Sequence, residues 1–167
     1  MCSSALAACT SANRIFVQKG IVEEFLAAFT NAMHGFVMGR GTEQGVTLGA
    51  YVSLKERDKI AALVDEAIKS GASVRTGGKK PDGPGAFYPA TVMTVDKYNS
   101  ILKHEIFGPV APIVIFDTDE EGIALANDTE FGLISYVFSG ELGRAIRTAE
   151  AMESGMVAIN KGVISDP

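Results

Sequence analysis

Apolar residues along this chain recur in two rhythms, one of about two residues and one of about 3.6, and the rhythms alternate. Arg14-Ile15-Phe16-Val17-Gln18 is a short β-prone run closed by Lys19-Gly20. Val22, Phe25, Leu26, Phe29 and Met33 then follow at helical spacing, which predicts strand, turn and a helix over residues 21–36. Gly39, Gly41, Gly45 and Gly49 interrupt a polar stretch and predict a loop. The stripe Ile60, Leu63, Val64 and Ile68 predicts a second amphipathic helix from Leu54 to Ser70, stopped at Ser70-Gly71. Ser73-Val74-Arg75 reads as a short strand, and Thr76 to Ala86, with Gly77, Gly78, Pro81, Gly83, Pro84 and Gly85, as a surface loop. No strand and helix flank those glycines directly and no Gly-Lys-Ser/Thr follows them, so the loop is not a phosphate cradle.

From Phe87 onward the two rhythms change places regularly. Strands are predicted at Tyr88 to Val95, Pro109 to Phe116, Leu133 to Ser139 and Met156 to Asn160, with helices at Asp119 to Asn127 and Glu141 to Met152. This order predicts an α/β fold: a mostly parallel, open, twisted sheet with helices on both faces, whose ligands lie beyond the carboxyl ends of the strands. Neither a repeat nor a low-complexity tract interrupts it. One strand sits just after the start of the chain and one just before its end, so both ends are expected to be cuts through a larger architecture.

Composition narrows the function classes. With 167 residues, 47% of them hydrophobic and 21% charged, the chain has the balance of one soluble domain able to bury a core. The net charge of −5 and the dispersal of the 15 basic residues argue against nucleic acid. No apolar run approaches the roughly 18 to 20 residues a membrane span needs, and the first residues lack the basic stretch of a secretory signal, so a cytoplasmic location is expected. Cys2 and Cys9 are too few for a disulfide framework.

Four positions could carry chemistry. Cys9 stands before the first strand among small residues that would leave its sulfur accessible; the plain alternative is a small buried hydrophobe. Glu105 and Phe107, in His104-Glu105-Ile106-Phe107-Gly108-Pro109, put a carboxylate and an aromatic at a turn into an apolar strand, where ligand contacts collect. The plain alternative is a solvated carboxylate beside a core ring. Ser165, like Asn160, lies at or beyond a strand end and is equally readable as a turn residue. His34 and His104 are far apart with no further ligand at metal spacing, so no metal site is expected.

Five segments, in order, resemble the aldehyde dehydrogenase superfamily. They are Cys9 with Ala12-Asn13-Arg14-Ile15-Phe16-Val17, then Thr76-Gly77-Gly78, Glu105-Ile106-Phe107-Gly108-Pro109-Val110, Asn127-Asp128-Thr129-Glu130-Phe131-Gly132-Leu133 and Gly155-Met156-Val157-Ala158-Ile159-Asn160. Gly45-Val46-Thr47-Leu48-Gly49, Ala151-Met152-Glu153-Ser154-Gly155-Met156-Val157 and Gly162-Val163-Ile164-Ser165 look most like the succinate-semialdehyde dehydrogenases. The resemblance implies that Cys9 is the nucleophile toward an aldehyde, that Glu105 accepts hydrogen bonds from the nicotinamide ribose of NAD or NADP, that Phe107 packs beside that ribose, and that Ser165 helps hold a distal substrate carboxylate. A carboxylate suits hydroxyl donors.

It also implies that residues 1–167 are part of a catalytic domain. The family's dinucleotide-binding domain, general-base glutamate and oxyanion-hole asparagine precede its cysteine, and its oligomerisation strand follows, so the parent is expected to be a homo-oligomer and the piece alone inactive. Where the family has Gly-Gln-x before the cysteine this chain has Leu6-Ala7-Ala8, and Ser3 stands where an arginine grips the substrate carboxylate. Losing that charge-assisted contact would cost about 1.5 to 3 kcal/mol. Two other roles fit the residues: a non-catalytic binding or assembly domain derived from the fold, and slow ester hydrolysis by Cys9 without cofactor.

Overall fold

The computed structural model describes residues 9–162; Cys2, Ser3, Leu6-Ala7-Ala8 and Ser165 lie outside them. The first predicted strand, turn and helix form as β1 (Ile15–Gln18), a single 3-10 turn (Lys19–Ile21) and α1 (Val22–His34). After the glycine-broken loop comes α2 (Leu54–Lys69). Ser53 caps it, its hydroxyl accepting from the Glu56 N–H at 3.2 Å, and the Ser70-Gly71 stop is observed, with Ala72 N–H closing onto the Ala67 carbonyl at 2.9 Å. The strands β2 (Ser73–Thr76), β3 (Thr91–Thr94) and β4 (Val110–Phe116) follow.

These strands make one sheet in the order β1-β4-β3-β2. β4 pairs in parallel with β1 and with β3, while β2 joins β3 antiparallel with a register shift between Val74 and Thr76. As the interior strand, β4 is apolar without alternation, Val-Ala-Pro-Ile-Val-Ile-Phe, because both of its faces are covered. Pro112 is tolerated within it. The carbonyls of Pro109 and Ile113 accept from β3 and its extension, so the even-numbered residues of β4 face β1, and pairing with β1 begins only at Ile15 with Ile113.

Helices cover both faces, as the alternation predicts. On one, α1 packs Val22, Leu26 and Met33 over Val17, Val92, Ala111 and Ile113. On the other, Ile60, Val64 and Ala67 of α2 pack over Met93, Val110 and Val114, joined by Tyr88, Ile101 and Ile106. Burying about ten such side chains, at roughly 1.5 to 3 kcal/mol each, is the main force holding this half together.

The remaining elements are α3 (Asp119–Asn127), β5 (Ile134–Val137), α4 (Leu142–Glu150) and β6 (Met156–Ile159). Thr118 caps α3, whose first turn carries Asp119, Glu120 and Glu121 against the positive helix end, and the Glu141 carboxylate caps α4 through Gly143 and Arg144. Here the single sheet suggested by the alternation divides. β5 and β6 pair in parallel with one another, in a second, two-stranded sheet. The alternation of strand and helix predicts parallel pairs, as seen for β1-β4, β3-β4 and β5-β6, but nothing in it fixes which strand neighbours which.

Candidate functional site

Cys9 is exposed in a turn ahead of β1. Contacts from Tyr136 and Asn13 help hold that turn. The Tyr136 hydroxyl, on β5, donates to the Thr10 carbonyl at 2.7 Å. Asn13 reaches across to the residues around Glu105: its Nδ2 donates to the His104 carbonyl at 2.7 Å and its Oδ1 accepts from the Ile106 N–H at 2.8 Å. Both backbone groups that bracket Glu105 are thereby satisfied by one side chain, and the segment that carries the thiol is tied to the segment that carries the carboxylate.

The stretch from His104 to Pro109 alternates outward and inward. Glu105 is exposed, Ile106 is buried in the core at 2% exposure, and Phe107 is exposed again at 47%. Phe107 adopts a positive φ of 42°, which side-chain-bearing residues seldom do and which the surroundings must enforce. Gly108 follows because nothing larger fits: a Cβ there would fall on the Tyr51 hydroxyl. The turn then locks into the sheet through Val110 N–H to the Gly108 carbonyl, 2.8 Å, and Thr91 N–H to the Pro109 carbonyl, 2.7 Å. Carboxylate and ring thus project from a backbone anchored before, within and after them.

The other motif residues are structural ties. Arg14 donates to the carbonyls of Ala126 (2.9 Å), Asp128 (3.1 Å) and Leu125 (3.4 Å), satisfying the orphan C-terminal end of α3 while its guanidinium lies over Phe16. Burial lowers its pKa and Asp128 opposes that, leaving the cation intact. Asn127 spans the turn after α4, donating to the Ala151 carbonyl at 2.8 Å and accepting from Glu153 N–H at 3.0 Å. Asn160, at φ 52°, grips both backbone groups of Ser139 at 3.0 Å. Gly77 allows the chain to cross β3 closely, since a Cβ there would meet the Ala90 carbonyl, and Gly78 N–H donates to the Thr91 hydroxyl at 2.9 Å. That is a close backbone crossing.

Cys9, Glu105 and Phe107 therefore share one connected region, and Ser165 lies outside the described residues. The sequence reading assigned no role to Asn13 as a clamp, to Tyr136 or to Tyr51. An amide two residues ahead of β1 is a weak signal, and the tyrosines act through contacts of long sequence separation. A concavity of about 460 Å³ lies elsewhere, between α1 and β2 beside Glu23, His34 and Arg75, and another of about 320 Å³ is lined by Asp96, Lys97, Asp117 and Glu121. Both are open to solvent and neither is lined by a cysteine, so the exposed shelf around Cys9 and Glu105 is the better site on chemical grounds. Among the described residues no group of three or more His, Cys, Asp or Glu side chains gathers as a metal site, and no helix is long and apolar enough to cross a membrane.

Residues 2–167 match the aldehyde dehydrogenase family. The chain is 45% identical over 160 residues to a succinate-semialdehyde dehydrogenase of Paenarthrobacter nicotinovorans, covering 95% of this chain and 36% of that protein. It is 40% identical to a glutarate-semialdehyde dehydrogenase of Pseudomonas putida, covering 95% and 33%. The crystal structure of a succinate-semialdehyde dehydrogenase from Burkholderia pseudomallei superposes with a TM-score of 0.92 at 41% identity, over 96% of this chain and 33% of that one. The chain thus spans about a third of the length of the relatives it matches.

Proposed function

Because the chain belongs to the aldehyde dehydrogenase family, we propose that the full-length protein oxidises an aldehyde bearing a distal carboxylate, foremost succinic semialdehyde, to the acid with NAD or NADP. The observation that carries this reading is the Asn13 clamp, which joins the turn bearing an exposed Cys9 to the segment presenting Glu105 and Phe107. Identity to proteins named for succinate and glutarate semialdehydes supports the substrate class.

In this reading the Cys9 thiolate attacks the aldehyde carbon, a C–S bond forms, and the carbonyl oxygen takes the charge. A nicotinamide dinucleotide held at Glu105 and Phe107 would supply the two-electron acceptor for the hydride on that carbon. The product on Cys9 is a thioester; water attacks it, the C–S bond breaks, and the acid leaves with the thiol restored. Glu105 is an acceptor-only group suited to the hydroxyls of a ribose, and Phe107 offers that sugar a flat apolar wall; the exposure of both fits such a ligand. Ser165 would contribute a hydroxyl to the substrate carboxylate. The partners are a small aldehyde and a dinucleotide rather than nucleic acid or a membrane, in a cytoplasmic homo-oligomer.

The test is dinucleotide reduction by the full-length protein with succinic semialdehyde, glutaric semialdehyde and unsubstituted butanal. The reading expects the carboxylated substrates to lead in kcat/KM and Cys9→Ala to remove the activity. Equal rates for butanal overturn the substrate class, and an active Cys9→Ala variant overturns the mechanism.

A further inference from the structure

Tyr51 plays no part in the chemistry above, yet its ring closes the face of the turn that presents Phe107. We infer that Tyr51 is a positioning residue: it props the Phe107–Gly108 turn and so fixes the platform for the dinucleotide's ribose, an inference that rests on the proposed roles of Glu105 and Phe107. The three atoms nearest the position of a Gly108 Cβ all belong to Tyr51, the hydroxyl first. Tyr51 is itself anchored, its N–H donating to the Ala86 carbonyl at 2.8 Å and its ring packed against the cluster that holds Ile106, Tyr88 and Val110. A wall fixed to the core therefore stands against the residue that follows Phe107.

Among the described residues its hydroxyl is buried without a hydrogen-bond partner, and burial, assisted by Tyr88, pushes the phenol's pKa up. A buried hydroxyl without a partner is unfavourable for folding, and an apolar side chain would suit the core better. What the hydroxyl adds is reach: it is the atom that meets Gly108. Phe107, at positive φ, needs such support, because that conformation persists only when neighbours over-determine it. Asn13 and Ile106 hold the chain before Phe107, and Tyr51 holds it after.

Dinucleotide affinity, the KM of each substrate, kcat and Tm are to be measured on the full-length protein for wild type, Tyr51→Phe, Tyr51→Leu, Gly108→Ala, the Tyr51→Leu/Gly108→Ala double variant and Glu105→Gln. Tyr51→Leu is expected to weaken dinucleotide binding roughly ten-fold, within the hundred-fold that a misplacement of about 1 Å can cost, while leaving the aldehyde KM within about two-fold. Tyr51→Phe, which keeps the ring and is the safer variant to fold, falls between it and wild type at roughly two- to five-fold. Gly108→Ala is also expected to cost roughly ten-fold, and the double variant no more than either single, since the two substitutions act on one contact. Full additivity of the pair overturns the inference. So does equal loss of dinucleotide affinity, aldehyde affinity and Tm in the Tyr51 variants, which is the mark of a general packing role. If Glu105→Gln weakens the dinucleotide and the Tyr51 variants do not, the inference falls and the proposed function stands; if none of them does, both fall.

Discussion

The four-stranded sheet and the two-stranded sheet come from the same alternation of rhythms but bury their residues very differently. Between Ile15 and Phe116 both faces are covered by helices, and Tyr88, Met93, Ile101, Ile106 and Ile113 are fully enclosed. Beyond Phe116 the buried hydrophobic residues among those described are Val137, Ala145 and Ala158, while Phe138 (66%) and Leu142 (68%) stand in solvent. The first half sets Phe107 at positive φ directly beside the enclosed Ile106; the second, where Asn160 has positive φ at an exposed site, contributes a tie to the cysteine turn through Tyr136. The platform proposed for the cofactor thus sits on the half with its own core, and the thiol turn bridges the two.

That contrast gives an ordered set of expectations. The largest is for Ile113→Ala in β4, which removes a side chain of 0% exposure and should destabilise by about 2–5 kcal/mol in urea unfolding. Ile159→Ala in β6, 36% exposed, should cost less than about 1 kcal/mol. Equal costs for the two would erase the distinction between the halves.

Next is Asn13→Ala. It strands the part-buried Ile106 N–H, while water can reach the exposed His104 carbonyl; the loss should cost about 1–3 kcal/mol and speed hydrogen exchange at the Ile106 amide. The corresponding clamp in the second half, Asn160, holds Ser139 at an exposed site where water can replace it, so Asn160→Ala should cost less. An Ile106 amide protected as well in Asn13→Ala as in wild type would deny the clamp its role.

A smaller effect is expected at alkaline pH. Burial raises the pKa of Tyr51 and Tyr88 above the ordinary value of 10.0, with Asp65 adding to the rise at Tyr88. Groups with raised folded pKa values keep their full contribution below the unfolded value and lose it as pH climbs past that value toward the folded one. Thermal stability should therefore decline above pH 10, and the Tyr51→Phe/Tyr88→Phe double variant should decline less steeply; identical slopes would contradict the burial of the two phenols. Smallest is the Phe138→Ser/Leu142→Ser double variant, whose stability should stay within about 0.5 kcal/mol of wild type per site while light scattering on heating diminishes. A loss of several kcal/mol would mean that these side chains are buried after all.

Much of the fold is local and could be read from the chain. The stripe of α2, its Ser70-Gly71 stop and the apolar run of β4 are all written within a few residues of where they act. The division into two sheets is not, because strand order is decided by contacts between segments far apart, such as Tyr136 with Thr10. At the candidate site Cys9, Glu105 and Phe107 stand out through their resemblance to a family, and pattern alone leaves each with a plain alternative. Asn13, Tyr51 and Gly108 are legible only once the chain is folded, since an amide's two partners and a glycine's lost Cβ are properties of the space around them.

The most direct test of the account is to catch the acyl group on Cys9. The full-length protein is mixed with succinic semialdehyde and NAD or NADP, quenched in acid during turnover, and its peptides are weighed by mass spectrometry. The account predicts a succinyl group on the peptide containing Cys9, formed when aldehyde and dinucleotide are both present and absent from Cys9→Ala. Turnover with Cys9 unmodified, or an acyl group carried on another residue, would contradict it.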